Sequence, residues 1–259
     1  MTVRQLFARL NEMIPRTLSC EWDNDGLMCC PDGDREVRRI LVALDATADV
    51  CDRAIAGEYD VILTHHPFIF KGLRAIDDGN AIASKAIELI RAGISVMSFH
   101  TRLDALEGGV NDTLAKVLGL SEVEAFEGDG LPLGRVGELE SAVDLDSFAK
   151  SVKTALDAPF VLVSDAGREA KRVAVLGGDG KGFISAAIAA GADTFVSGRI
   201  DYHTMTDTPD LIGGSVNLIE AGHFYTEFPV CKTLCGMVAG IDPTIECDVV
   251  NGNRIRAIG

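Results

Sequence analysis

The sequence predicts an α/β fold in two domains, 1–127 and 128–259. Three observations predict it. Short apolar strands alternate with amphipathic helices, the pattern of largely parallel sheets. An acidic, glycine-rich stretch, SEVEAFEGDGLPLG (121–134), interrupts the succession and separates two such series. The length of 259 residues suits one large or two modest domains and suffices to bury a core.

In the first series, Val3–Ile14 has helical spacing, with Leu6, Leu10, Met13 and Ile14 on one side. A polar, turn-prone stretch, EWDNDGLM (21–28), holds the only tryptophan. RRILVALDAT (38–47) reads as a buried strand, 49–58 as a helix, and DVILTHHP (60–67) as a strand broken by Pro67. A helix over 81–92, the strand SVMSFH (95–100) and a helix over 110–118 follow. The second series has GRVGEL (134–139), a helix over 146–156, and strands at 158–164 and 172–178. Next come a helix over 184–191, strands at 193–198 and 215–222, a helix from His223 to about Val238, and a closing strand at 244–250. The halves echo each other: VILTHHP answers TFVSGRIDYH, and SVMSFHTRLD answers VNLIEAGHFYTE. The echo fits a duplication, and it equally fits any two α/β units.

The composition excludes several classes. With 24 Lys+Arg against 39 Asp+Glu the formal charge is −15, which argues against non-specific nucleic-acid binding and a polybasic membrane anchor. No apolar run is long enough for a membrane span, and MTVRQLFARLNEMI lacks the apolar block of a signal peptide, so a cytoplasmic location is expected. The seven cysteines are odd in number and form no CxxC pairs, so they read as reduced core residues.

All five histidines fall at or just beyond the C-terminal end of an apolar segment: His65 and His66, His100, His203, and His223. Ligands of open α/β sheets bind beyond the carboxyl ends of strands, so distant positions can converge there. Acids accompany three of these segments: Asp104 after His100, Asp201 before His203, and Glu227 after His223. If a helix begins near 223, His223 and Glu227 share one face at i and i+4 and reach one ion. A single histidine at a strand end is more often a hydrogen-bonded framework residue. Five so placed point to a metal site, and imidazoles with carboxylates suit two neighbouring divalent ions that activate water. Zinc, iron, manganese and nickel all accept such donors. Ser98 lies two residues before His100, but no G-x-S-x-G elbow accompanies it.

The ordered series EWDNDGLM (21–28), LTHHPFIFKGL (63–73), SFHTRLDALEGGVND (98–112), GRVGEL (134–139), SGRIDYH (197–203) and EAGHFYTE (220–227) resembles the GTP cyclohydrolase I type 2 homologue family, Nif-three-like dinuclear metal proteins. The resemblance implies two interlocked α/β domains, a toroidal homohexamer, and two metal ions per subunit held by His65, His66, Asp104, His223 and Glu227, with Glu227 bridging. It places His100 beside the ions, orienting a ligand or relaying protons, and His203 near the same cleft. Arg102 and Arg199 stand where the family has Asn and an acid, and their charge suits an anionic substrate or, equally, a surface salt bridge. GGDGKG (177–182) matches neither a P-loop nor a dinucleotide fingerprint and reads as a tight turn, with an anion-cradling loop beside Lys181 as the alternative. The expected activity is metal-dependent hydrolysis of a nucleotide or other small phosphorylated substrate. The competing expectation is a non-enzymatic metal carrier or scaffold.

Overall fold

Thr2 starts the chain's first helix, α1 (Val3–Met13), through a capping box with Gln5. Strands β1 (Gly26–Cys29) and β2 (Arg39–Ala43) lead to α2 (Ala48–Ala56), whose first turn is capped by Thr47. Then come β3 (Val61–Thr64), α3 (Ala81–Ala92), β4 (Ser95–Ser98), α4 (Thr101–Ala105) and α5 (Val110–Val117). The second half contains β5 (Ser121–Gly128), β6 (Leu131–Val143), α6 (Leu145–Ala155), β7 (Leu162–Ser164), β8 (Ala170–Asp179), α7 (Ile184–Ala189) and β9 (Thr194–Arg199). It continues through α8 (Tyr202–Leu211), β10 (Asn217–Glu220) and α9 (His223–Glu227), and the chain closes with α10 (Val230–Ile241) and β11 (Glu246–Val249). This computed structural model describes residues 1–128, 130–211 and 216–258, so Ser215, the first residue of the expected strand 215–222, lies outside the described residues.

The chain divides into two compact units, Met1–Leu103 with Cys231–Arg254, and Asp104–Val230 with Ile255–Gly259. The first holds a five-stranded sheet of order β1-β4-β3-β2-β11, the second a six-stranded sheet of order β5-β6-β8-β9-β10-β7. The stretch 121–134, expected as a junction, is instead mostly the β5–β6 hairpin of the second sheet, with Ala125 paired to Arg135. Its acids and glycines are those of an exposed edge strand, and the boundary falls at 103/104 rather than 127/128. The final helix and strand rejoin the first unit, where β11 runs parallel to β2. The helix expected over 223–238 is two helices, because Pro229 cannot donate the hydrogen bond that would continue α9. Cys235 on α10 and Cys247 on β11 are joined as a disulfide, against the expectation that all seven cysteines are reduced. Cys29, Cys30 and Cys51 are free thiols.

The two units repeat one plan. β1-β4-β3-β2 and β7-β10-β9-β8 have the same strand order, with the outer strand antiparallel and the other three parallel. Each repeat is preceded by a helix, α1 or α6. Even the clamp at the strand starts recurs. Asp60 accepts from the backbone N–H groups of Arg38 and Arg39, and Asp193 from those of Lys171 and Arg172. The backbone of each aspartate bridges its neighbouring strands, Asp60 N to Arg39 O and Asp193 N to Arg172 O. This shared detail favours duplication over a coincidental echo. The cores are local to each unit. Leu41, Ile62 and Val96 pack with α2 and α3 residues in the first, and Val173, Val196 and Ile219 with α6 in the second. Ile40, Val42, Val61 and Leu63, on the other face of the first sheet, are also buried, as covered parallel sheets require.

Burial works against ionisation of Asp60, but the hydrogen bonds from Arg38 and Arg39 and the Arg35 guanidinium outweigh it and hold the carboxyl below its ordinary value. A depressed carboxylate stabilises the fold above its unfolded pKa, about 3.9, and the contribution fades as pH falls through the lower folded value. Asp60→Asn is therefore expected to cost about 1–3 kcal/mol near pH 7. The gap from wild type should narrow as pH drops below about 4, which urea unfolding across pH will check.

Candidate metal centre

His65 follows β3 directly, and its turn is built by the ends of three parallel strands. The Thr64 hydroxyl donates to His66 O (2.8 Å) and lies 2.8 Å from the Ser98 hydroxyl, which accepts from Phe68 N. His66 N donates to Leu44 O beyond β2, and Phe99 N to Thr64 O. These bonds place His65, His66 and His100 at the carboxyl ends of β3 and β4. Their ring centroids lie 5.0, 5.2 and 5.7 Å apart, and one ligand atom from each falls within 4.8 Å of the others.

Each ring has its Nδ1 engaged. His65 Nδ1 lies 3.0 Å from Phe99 O, His66 Nδ1 2.8 Å from Asp45 Oδ1, and His100 Nδ1 2.9 Å from Asp23 Oδ1. A carbonyl or carboxylate can only accept, so Nδ1 carries a proton and Nε2 is the atom left to offer a lone pair to an ion. That is the tautomer in which imidazole binds a metal, with the outer acceptor fixing orientation and raising basicity. The donor set fits a divalent cation.

Asp23 and Asp25, both buried, fasten His100 from the loop before β1. Asp23 also accepts from Thr101 N (3.0 Å) and the Thr101 hydroxyl (2.6 Å), and Asp25 from His100 N (3.0 Å). Burial alone would raise the Asp23 carboxyl, but the hydrogen bonds from His100 and Thr101 and the attraction of His100 hold it down to about 2. Neither aspartate, nor Asp45, emerged as a candidate from the sequence. Asp45 ends the LVALDA segment just past β2, where an acid at a strand's carboxyl end is a usable signal. For Asp23 and Asp25 only the acidic EWDNDG loop hinted at a role.

The second unit carries Asp104, His223 and Glu227. His223 Nε2 lies 3.0 Å from Glu227 Oε2, an i,i+4 pair on α9, with the Glu227 side chain only 5% exposed. Gly178 (φ +70°) makes room for that carboxylate, since a Cβ there would fall 2.3 Å from Glu227 Oε1. Thr226 Oγ1 accepts from Gly178 N and fixes the approach of β8 to α9. Asp104 sits on a segment held by Asn111, which donates to Asp104 O and Leu133 O and accepts from Gly177 N. Arg135 ties the same segment by donating to Ala105 O and Leu106 O while pairing with Asp112.

The expectation that Arg102 contacts a substrate is overturned. Its side chain is fully buried, with Nε donating to Asp25 Oδ2 (2.8 Å) and Nη1 to Asn11 Oδ1 and Ile14 O, and its guanidinium lies over Phe99. It is a framework cation closed off from solvent. Arg199 is exposed at the end of β9 and lines a cavity of about 720 Å³ with Ser164, Asp201 and Glu220. His203 is exposed on α8, with its ring 5.4 Å from that of Tyr202. In the GGDGKG segment, Gly177 and Gly178 belong to β8, and Gly180 opens a single 3₁₀ turn, as the tight-turn reading expects.

The sequence profile of Duf34/NIF3 (NGG1p interacting factor 3) matches residues 1–251. The chain belongs to the Duf34/NIF3 family. It is 37% identical over 204 residues to a GTP cyclohydrolase 1 type 2 homolog of Nostoc sp., covering 77% of this chain and 76% of that protein. A protein of the same name from Clostridium acetobutylicum is 33% identical over 237 residues, covering 88% and 86%. Among solved structures, a hypothetical protein of Staphylococcus aureus superposes with a TM-score of 0.89 at 29% identity, over 100% of this chain and 99% of that one. Among the described residues, no helix is long and apolar enough to cross a membrane.

Proposed function

We propose that this family member is a metal-dependent hydrolase with two divalent ions, acting on a nucleotide or another small phosphorylated molecule. The observation that carries the metal reading is the set of three imidazoles whose Nδ1 atoms are all engaged outward. The name of the relatives supports the hydrolytic reading. The proposed ligands are His65, His66, Asp104, His223 and Glu227, and the geometry adds His100 as a third imidazole beside the histidine pair. The homohexamer implied by the resemblance belongs to the same proposal.

Divalent ions in this donor set supply Lewis acidity toward water and substrate. The protein's own part is positioning. Asp45 and Phe99 O hold His66 and His65 in the coordinating tautomer, so no reorganisation is needed on binding. In this reading His100 joins the ligands through Nε2, and the ionised Asp23 behind its Nδ1 orients the ring and makes it a more basic donor.

The test is to load the purified protein separately with Zn²⁺, Mn²⁺, Fe²⁺ and Ni²⁺ and to screen nucleotides and phosphoesters for turnover. At least one metal should support turnover that falls to background in Glu227→Ala. If no metal raises wild type above that variant, the hydrolase reading fails and a metal carrier replaces it.

A further inference from the structure

We propose that Trp22 and Phe70 form an aromatic seat beside the histidine cluster that holds the planar heteroaromatic ring of a phosphorylated ligand. The proposal rests on the reading of that cluster as the reacting centre, but it concerns residues that bind no metal.

Trp22 is the only tryptophan in the chain, and it is 59% exposed; Phe70 is 45% exposed. Buried aromatics of this size remove much apolar surface from water and dominate core energetics, yet neither ring belongs to the unit's core cluster. Instead they meet each other and His100. The Trp22 and Phe70 centroids are 6.1 Å apart with planes inclined at 76°, an open corner rather than a stack. Each lies 6.1 Å from the His100 ring, at 74° and 88°.

The corner is built, not incidental. Asn24 Nδ2 donates to Ile69 O, tying the Trp22 loop to the segment that carries Phe70. Asp23, next to Trp22, fixes the third ring by accepting from His100 Nδ1. Exposed aromatic faces of this kind hold flat bases by stacking, tolerant of which base it is. The residues after Phe70 favour an anionic ligand over an apolar partner. Lys71 and Arg74, with Asp77 as the single acid, line a cleft of about 520 Å³ on the same loop, a net positive lining on a protein of net charge −15. A ring joined to a phosphate, as in a purine nucleotide, presents both chemistries at once.

Trp22, being single, reports on the seat by its own fluorescence. Guanosine 5′-monophosphate, added to protein stripped of metal with EDTA, should quench Trp22 emission saturably. Ribose 5-phosphate, which lacks the ring, should not. Phe70→Ala should weaken the nucleotide's apparent Kd by roughly 10- to 100-fold, and Phe70→Tyr should restore it. The proposal is overturned if quenching is absent, if ribose 5-phosphate quenches equally, or if Phe70→Ala binds like wild type. It is also overturned if Trp22 in the ligand-free protein is shielded from acrylamide, which would mean a second copy of the chain covers it. Loss of the hydrolase reading looks different: nucleotide quenching then persists while no metal gives turnover. Conversely, turnover of a nucleotide with unchanged kcat/KM in Phe70→Ala removes the seat and leaves the hydrolase.

Discussion

Arg102→Ala should lower the unfolding free energy by about 3–5 kcal/mol, the range for breaking a buried ion pair by removing one partner. Arg102 and Asp25 are both fully buried as side chains and 2.8 Å apart. Removing the cation leaves Asp25 with the half-exposed Arg16 at 3.2 Å and the backbone N–H of His100. It also strips a donor from Asn11 and from Ile14 O, the residue that follows α1. Arg102→Lys should cost less, because one charge returns, but Lys cannot reproduce the fork that reaches Asp25 and Ile14 together. Urea unfolding with a fixed m-value measures both. A loss below about 1 kcal/mol would mean the guanidinium behaves as a solvent-exposed group, and a substrate role would regain its place. Because Asp25 also anchors His100, the same variant should loosen the histidine cluster. One residue thereby couples fold stability to the site.

What could be read in the sequence follows from how local each signal is. The strands β2, β3, β4, β8, β9 and β10 are short apolar runs bounded by polar residues, and all were expected near their observed positions. The histidines were found because a strand's carboxyl end is a position one can count in sequence. Their partners were not, since Asp23 and Asp25 bind His100 and Arg102 across 77 residues and carry no periodic mark. Arg102 misled for a related reason. A cation next to candidate ligands suggests an anionic substrate, and only the fold shows that α4 turns this side chain inward onto Phe99. The β5–β6 hairpin was missed because its residues 121–125 are exposed, so strand alternation gave way to the acidic composition of a loop. The return of α10 and β11 to the first unit has no local signature at all. It depends on β11 pairing with β2, some 200 residues earlier in the chain.

His65→Ala should abolish tight Zn²⁺ binding, and Asp23→Ala should weaken it by about 10–100-fold, the usual cost of losing an acceptor that orients a metal-bound histidine. Competition against a chromophoric chelator reads both. The two variants act at different depths. His65 offers Nε2 from a fully buried ring, so its removal deletes a donor outright. Asp23 touches no ion in this arrangement; it acts through the His100 tautomer and through the Thr101 N–H and hydroxyl that start α4. Asp23→Asn separates these roles, since an amide oxygen can still accept from His100 while the charge that makes the ring more basic is gone. It should fall between wild type and Asp23→Ala. His203→Ala provides the contrast: the ring is exposed on α8 and belongs to none of the groups of candidate ligands, and Zn²⁺ affinity should be unchanged. Equal affinity in wild type and His65→Ala would sink the metal reading. Equal affinity in wild type and Asp23→Ala would instead leave the ligands standing and remove His100 from among them, because an imidazole that binds the ion must feel the loss of the carboxylate behind it.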